Sequence, residues 1–188
     1  MVGLSACSTK PLDVNYYVLS PPKPVEHIKH KDDVRQVKLN KIMLADYLRQ
    51  SSIAMQVAEN QMYFSRQDVW AESLETAILS ALLRDLNQNT TIQYSSYQSP
   101  DTHTDNISLT IHIESFHASD KSKVVSSGRY WLFDPIKPKK LEKPFYFSLT
   151  LEQDGYSHAI SQQRQLLSLL AKDIQLELDQ WNVTTSQH

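Results

Sequence analysis

The chain has 188 residues, of which 40% are hydrophobic, 9% aromatic and 21% charged, as in an ordinary globular protein. A domain of this size buries roughly 70% of the surface of its unfolded chain, so its core needs neither a disulfide nor a metal. With only three glycines and a net charge of −2, the sequence offers no glycine-rich phosphate loop, no dinucleotide fingerprint and no general attraction for nucleic acid.

The first residues end in Leu4-Ser5-Ala6-Cys7, a run of small residues before a cysteine that resembles a bacterial lipobox. In a lipobox the cysteine thiol takes a diacylglyceryl group, and small side chains let the extended chain enter the signal peptidase. Only six residues precede Cys7, fewer than the basic start and apolar run of about 7 to 15 residues that a secretory signal needs. Either the precursor begins upstream of Met1 and Cys7 is lipidated, or the match to a lipobox is accidental. The polar, proline-interrupted residues 8–15 are typical of a flexible tether, which completes residues 1–15.

Alternation of apolar and polar residues predicts a series of half-buried strands. These strands are expected at residues 16–19, 34–44, 53–57, 61–64, 93–97, 107–113, 124–133 and 145–151. The lysine- and proline-rich residues 134–144 are expected to connect the last two strands.

Two amphipathic helices are predicted, one in the middle of the chain and one near its end. Ser65-Arg66-Gln67-Asp68 has the spacing of a capping box and predicts a helix over residues 68–86. Its apolar stripe is formed by Trp70, Leu74, Ala77, Ile78, Ala81 and Leu82. The closing helix is expected over residues 157–181, and its stripe is formed by Leu167, Leu170, Ile174, Leu178 and Trp181.

These elements predict an α/β fold, α+β-like in character, in which two long amphipathic helices pack on a single mixed β-sheet. One globular domain is expected over residues 16–183, followed by a disordered tail at 184–188. Tyr16, Tyr17 and Trp70 are assigned to its core.

Two segments carry most of the excess positive charge. Residues 23–41 hold six basic and three acidic residues, and residues 120–143 hold seven basic and three acidic ones. Such segments are either solvated loops or a face for anionic headgroups or an acidic partner. Lys137, Lys139 and Lys140 are the candidate contact residues for such an anionic partner.

The sequence contains none of the local motifs of zinc proteases, serine hydrolases or phosphate-loop enzymes. His27 and His30 lie among lysines, which disfavours a metal ion. We therefore expect no catalytic residues, no metal and no cofactor. The alternative from another class is a periplasmic hydrolase with a dispersed site around His103 or His117.

The order of several features resembles a known family. The lipobox and tether are followed by Tyr16-Tyr17-Val18-Leu19, by Tyr47-Leu48 after a strand, by Trp70-Ala71-Glu72-Ser73-Leu74, and by Leu82-Leu83-Arg84-Asp85-Leu86. This arrangement resembles the ABC-type transport auxiliary lipoproteins, also called paraquat-inducible protein C-like or membrane integrity-associated transporter subunits.

The resemblance implies a non-catalytic lipoprotein that is lipidated on Cys7, is anchored to the outer membrane and faces the periplasm, and it favours a precursor that begins upstream of Met1. Its implied partners are a mammalian-cell-entry domain protein and an inner-membrane transport subunit, with lipid as the cargo and membrane integrity as the outcome. Ser8 after Cys7 implies outer-membrane sorting in the same way. The sequence is also compatible with a homo-oligomer. A soluble lipid-binding carrier, with its pocket between sheet and helices, is the other alternative.

Overall fold

The computed structural model describes residues 13–20, 34–88, 92–99, 106–137 and 139–183. Two α-helices lie in this part of the chain, α1 at Leu74–Leu86 and α2 at Tyr156–Val183, with a 3-10 turn at Asp46–Leu48. The strands are β1 Asn15–Tyr17, β2 Arg35–Leu44, β3 Ser52–Ala58, β4 Gln61–Trp70, β5 Ile92–Ser96, β6 Ile107–Ser119, β7 Lys123–Asp134 and β8 Lys139–Thr150.

All eight described strands belong to one sheet, organised around the long strand β6. On one side of β6, strand β7 runs antiparallel along its full length, and β8 pairs with β7. On the other side, β2 runs parallel to the first half of β6, and β3 runs parallel to its end. Strand β5 lies beyond β2, while β4 and then β1 lie beyond β3. The predicted mixed sheet is therefore confirmed.

The core lies between the sheet and the two helices, which pack against each other. Helix α1 contacts β2 and β5, whereas α2 contacts β6, β7 and β8. Leu167, Leu170, Ile174 and Leu178 of α2 are fully buried, as are Ile78 and Leu82 of α1. These residues of the two predicted stripes form the helical half of the core, whereas Trp70 lies on β4 and the side chain of Trp181 lies outside the described part of the structure.

The buried apolar residues of β2 change from odd-numbered to even-numbered positions partway along the strand. Val37 and Leu39 are buried, but the next buried residues are Ile42 and Leu44. The register against β6 shifts between Leu39 and Lys41, so Asn40 is an extra residue that forms a bulge. A bulge moves the following side chains to the opposite parity, which keeps both apolar pairs on the core face.

The predicted start of the first helix was wrong. Residues 65–68 belong to β4, and α1 begins only at Leu74, where the Ser73 hydroxyl accepts a hydrogen bond from the Thr76 amide at 3.2 Å. The Ser65 hydroxyl does bind Asp68, accepting from its amide at 2.9 Å and donating to its carboxylate at 2.8 Å. These bonds close a bulge in which residues 65–68 face a single residue of β3. The same spacing therefore serves a strand irregularity as well as a helix cap.

The assignment of three aromatic residues to the core was only partly right. Trp70 is buried, but it lies at the end of β4 and not on a helix stripe. Tyr17 is half-buried, and its hydroxyl donates to Asp68 at 3.1 Å. Tyr16 is 71% exposed, because within the described residues β1 pairs with β4 alone and alternate side chains point to opposite faces.

The lysine- and proline-rich connection is shorter than predicted, because residues 139–144 form the first half of β8. Pro144 lacks an amide hydrogen, yet a strand tolerates it where one side has no partner. Within the described residues β8 pairs with β7 alone, so it is such an edge.

Candidate functional site

The turn between β7 and β8 carries the three lysines predicted to contact an anionic partner. We call residues 133–137 and 139–141 the basic tip. Lys137, Lys139 and Lys140 are all exposed there. The Asp134 carboxylate accepts hydrogen bonds from the Ile136 amide at 3.0 Å and the Lys137 amide at 3.2 Å, which fixes the shape of the turn.

The carboxylate that shapes the basic tip is itself paired. The Arg35 guanidinium at the start of β2 lies 3.6 Å from the Asp134 carboxylate. Burial lowers the pKa of Arg35, and the charge of Asp134 opposes that shift. The ion pair joins one residue of each basic sequence segment at one end of the sheet.

Lys143 belongs to the same basic segment but has a different role. It points toward α2, where its Nζ lies 2.8 Å from Asp173 Oδ1 and 2.6 Å from Glu177 Oε1. Burial lowers its pKa, but the hydrogen bonds and charges of the two carboxylates outweigh burial and raise the pKa above the usual value. Tyr130 also donates to Asp173, at 2.9 Å. Lys143 therefore holds β8 against α2 through these ion pairs.

A second charged cluster joins the two helices, and sequence reasoning missed it. Arg164 of α2 donates to Asp85 of α1 through two nitrogens, at 2.5 and 2.7 Å. The same guanidinium donates to the hydroxyls of Ser20 and Ser168, both at 2.9 Å. The available signal was the position of Asp85 between Leu82 and Leu86, because an acid on a buried stripe needs a cationic partner.

His117, one of the two histidines of the hydrolase alternative, lies in the interior of the protein. Its Nδ1 is 3.1 Å from the Tyr47 hydroxyl, which donates its own hydrogen to the Glu114 carbonyl at 3.0 Å. Burial of the imidazole lowers its pKa. In this arrangement His117 holds the 3-10 turn against β6. His103 lies outside the described residues, as do Cys7, His27 and His30.

A cavity of about 350 Å³ lies where α2 begins, between the sheet and that helix. Ile53, Ala118 and Tyr156 contribute apolar surface, and Gln163 lies on its wall with its amide donating to the Phe116 carbonyl at 3.2 Å. This is the position that the lipid-carrier alternative requires. Within the described ranges, the structure has no group of three metal-ligating side chains and no helix long and apolar enough to span a membrane.

The family model of the ABC-type transport auxiliary lipoprotein component matches residues 17–175, which is most of the chain. The chain belongs to this family. The resemblance seen in the sequence is confirmed, and the protein is an auxiliary component of ABC-type transport from a family of membrane-anchored lipoproteins.

Two solved structures share the fold of this transport auxiliary protein. The first is the crystal structure of an uncharacterized protein whose sequence is 21% identical to this chain, with a TM-score of 0.75 over 88% of this chain and 99% of that chain. Protein XCC0632 from Xanthomonas campestris is 13% identical, with a TM-score of 0.66 over 93% of this chain and 97% of that chain. No curated protein matches the sequence. At these identities the likeness concerns the fold alone.

Proposed function

We propose that the protein is a non-catalytic, lipid-anchored subunit of an ABC and mammalian-cell-entry type lipid transport system. It acts on the periplasmic face of the outer membrane and supports membrane integrity. The observation that carries the proposal is the family match over residues 17–175, together with the Leu4-Ser5-Ala6-Cys7 pattern that precedes the matched region. Its partners would be a mammalian-cell-entry domain protein and an inner-membrane transport subunit.

Several charged side chains make structural contacts between elements of the fold, which supports a docking role over catalysis. Arg164 and Asp85 join the two helices, and Lys143 joins β8 to α2. His117 is buried, and its Nδ1 lies 3.1 Å from the Tyr47 hydroxyl of the 3-10 turn. The charged groups left at the surface of β7 and β8 include Lys137 and Lys140 of the basic tip.

The cavity beside α2 favours a lipid-binding role as the second candidate, because its walls are partly apolar and its volume lies in the range of ligand sites. Replacing Ala159, which lines it, by Leu would fill part of that space. A carrier role predicts that this change lowers the amount of phospholipid that co-purifies with the protein. A docking role alone predicts no change.

Co-purification from cells tests the proposed partnership. With the full-length gene expressed in its host, crosslinking and affinity capture should recover the mammalian-cell-entry domain protein with the outer-membrane fraction. Recovery of turnover on ester, peptide or glycoside substrates that His117→Ala or His103→Ala abolishes would instead favour the hydrolase. Failure to recover any transport subunit, under conditions where a known envelope complex is recovered, would contradict the proposal.

A further inference from the structure

The basic tip displays apolar side chains as well as lysines. Ile136 is 68% exposed and Phe133 is 43% exposed, and both lie within a few residues of Lys137 and Lys140. An exposed isoleucine at the end of a hairpin has no role in the core. Apolar side chains flanked by lysines are typical of segments that enter the boundary between lipid headgroups and acyl chains. We propose that the basic tip binds the surface of an anionic lipid bilayer.

The electrostatics of the basic tip favour an anionic surface. Asp134 is the one acidic residue among residues 133–141, and these residues include Lys137, Lys139 and Lys140. Arg35 lies 3.6 Å from Asp134 and the charges of these two residues cancel, so the three lysines leave this end of the sheet with a net positive charge. Each lysine near an anionic bilayer strengthens binding by about fivefold. This attraction falls off over about one Debye length, so added salt weakens it.

The shape of the tip favours a bilayer over a folded acidic protein. The Asp134 carboxylate holds the amides of Ile136 and Lys137 and so presents a narrow, projecting turn. A stable protein interface needs about 800 Å² on each partner, which a single turn does not supply. A bilayer instead surrounds an inserted side chain, while the long lysine stems let their ammonium groups stay at the headgroups.

The position of the tip gives this contact a geometric consequence. Phe133 pairs with Ser108 near the start of β6. Strand β3, which β4 separates from β1, instead pairs with Ala118 near the end of β6. At about 3.3 Å per residue these two points lie roughly 33 Å apart along the sheet. A lipid anchor before β1 and a bound tip would together lay the sheet along the membrane. The tip contact itself does not depend on the lipid anchor or on the transport role.

Vesicle sedimentation tests the proposal with the full chain, produced without acylation. At low ionic strength the protein should sediment with vesicles of phosphatidylglycerol and phosphatidylethanolamine but not with phosphatidylcholine vesicles. The variant Lys137→Glu/Lys139→Glu/Lys140→Glu should lose at least about a hundredfold in affinity, since three lysines contribute about fivefold each. Ile136→Ser should lose about fivefold, and its loss should persist at high salt because it reflects apolar contact.

Matched variants elsewhere on the protein separate the tip from general charge and hydrophobicity. Lys121→Glu/Lys123→Glu reverses the charge of two exposed lysines at the β6–β7 turn, which lies at the opposite end of β7 from the basic tip. Leu176→Ser removes a side chain that is 60% exposed on α2. Both should bind vesicles like the wild type, and all variants should keep the wild-type unfolding midpoint.

Three results would overturn the proposal. The first is a wild type that ignores anionic vesicles at low ionic strength. The second is an equal loss of affinity in the Lys121/Lys123 control. The third is a wild type that binds an acidic polypeptide such as polyglutamate through Ile136 and the three tip lysines while leaving vesicles unbound, which would assign the surface to a protein partner.

Discussion

Removal of the Asp85 carboxylate should destabilise the protein strongly, because it leaves the Arg164 guanidinium charged and largely enclosed. The side chain of Asp85 is 8% exposed and that of Arg164 is 19% exposed. Breaking a buried ion pair by removing one partner costs about 3–5 kcal/mol. Against a total stability of about 5–15 kcal/mol, Asp85→Ala should therefore remain folded but marginal at 25 °C.

Thermal unfolding followed by circular dichroism gives the measurement. For a chain of this length each kcal/mol shifts the midpoint by about 2–4 °C, so Asp85→Ala should unfold about 6–20 °C below the wild type. The matched control is Asp46→Ala, since that side chain is 97% exposed and lies 3.7 Å from Arg49. The control should change stability by less than about 0.5 kcal/mol.

A double variant distinguishes loss of the ion pair from general damage at the helix interface. Asp85→Leu/Arg164→Met removes both charges and leaves apolar side chains, so it should recover most of the stability lost in Asp85→Ala. A midpoint for Asp85→Ala within about 1 °C of the wild type would refute the argument that this pair is enclosed. A double variant less stable than Asp85→Ala would refute the assignment of the loss to an unpaired charge.

The other predictions concern packing, a close backbone approach and pH. Leu74→Asp and Ile174→Asp should each unfold the domain, because both sites are buried and an unpaired carboxylate there costs several kcal/mol; near-native melting temperatures in both would contradict the helix packing. Gly128→Ala should lower the midpoint by several degrees, because its Cβ would lie 2.0 Å from the carbonyl oxygen of His112 on the neighbouring strand; an unchanged midpoint would refute this close approach. Burial lowers the pKa of His117 below its unfolded value of about 6.5, so its contribution to stability is present above that pH and is lost as the pH falls toward the folded pKa. Urea unfolding between pH 7 and pH 5 should therefore depend more steeply on pH in the wild type than in His117→Asn, and equal slopes would contradict the assignment.

Much of the fold could be predicted from the sequence, because the apolar pattern determines which faces are buried. The alternation around Ile107, Leu109 and Ile111 predicted β6, and all three side chains are buried. The spacing of Leu170, Ile174 and Leu178 predicted the core face of α2.

The errors arose where one local sequence pattern is compatible with two different backbone conformations. The Asp68 amide donates to the Ser65 hydroxyl as expected of a cap. Pairing of the flanking Phe64 and Val69 with β3, and of Asp68 with β1, nevertheless keeps that segment within β4. Burial of Tyr16 could not be decided from its own strand, since the outcome depended on the sheet having no further partner beside β1 in the described part of the chain.

The candidate site was predicted only in part. The tip lysines stand out in the sequence, but local composition does not show that Lys137 and Lys143 have different roles. The difference arises in the fold, because α2 places Asp173 beside Lys143, whereas Lys137 is exposed at the tip. The pairing of Asp85 with Arg164 joins residues 79 positions apart, so it depends on the packing of the helices. The role of Cys7 stays a prediction, because that residue lies outside the described ranges.

Mass spectrometry of the mature N-terminus tests lipid anchoring most directly. Each buried methylene of an acyl chain contributes about 0.8 kcal/mol, and stable attachment needs more than one chain. The protein purified from its own host, expressed from the full-length gene, should therefore begin at Cys7 and carry a diacylglyceryl group on the thiol. Cys7→Ala should stay folded yet leave the membrane fraction, while the control Ser5→Thr should remain anchored. An unmodified Cys7, or a mature chain that still begins at Met1, would contradict the lipid anchor and with it the outer-membrane role.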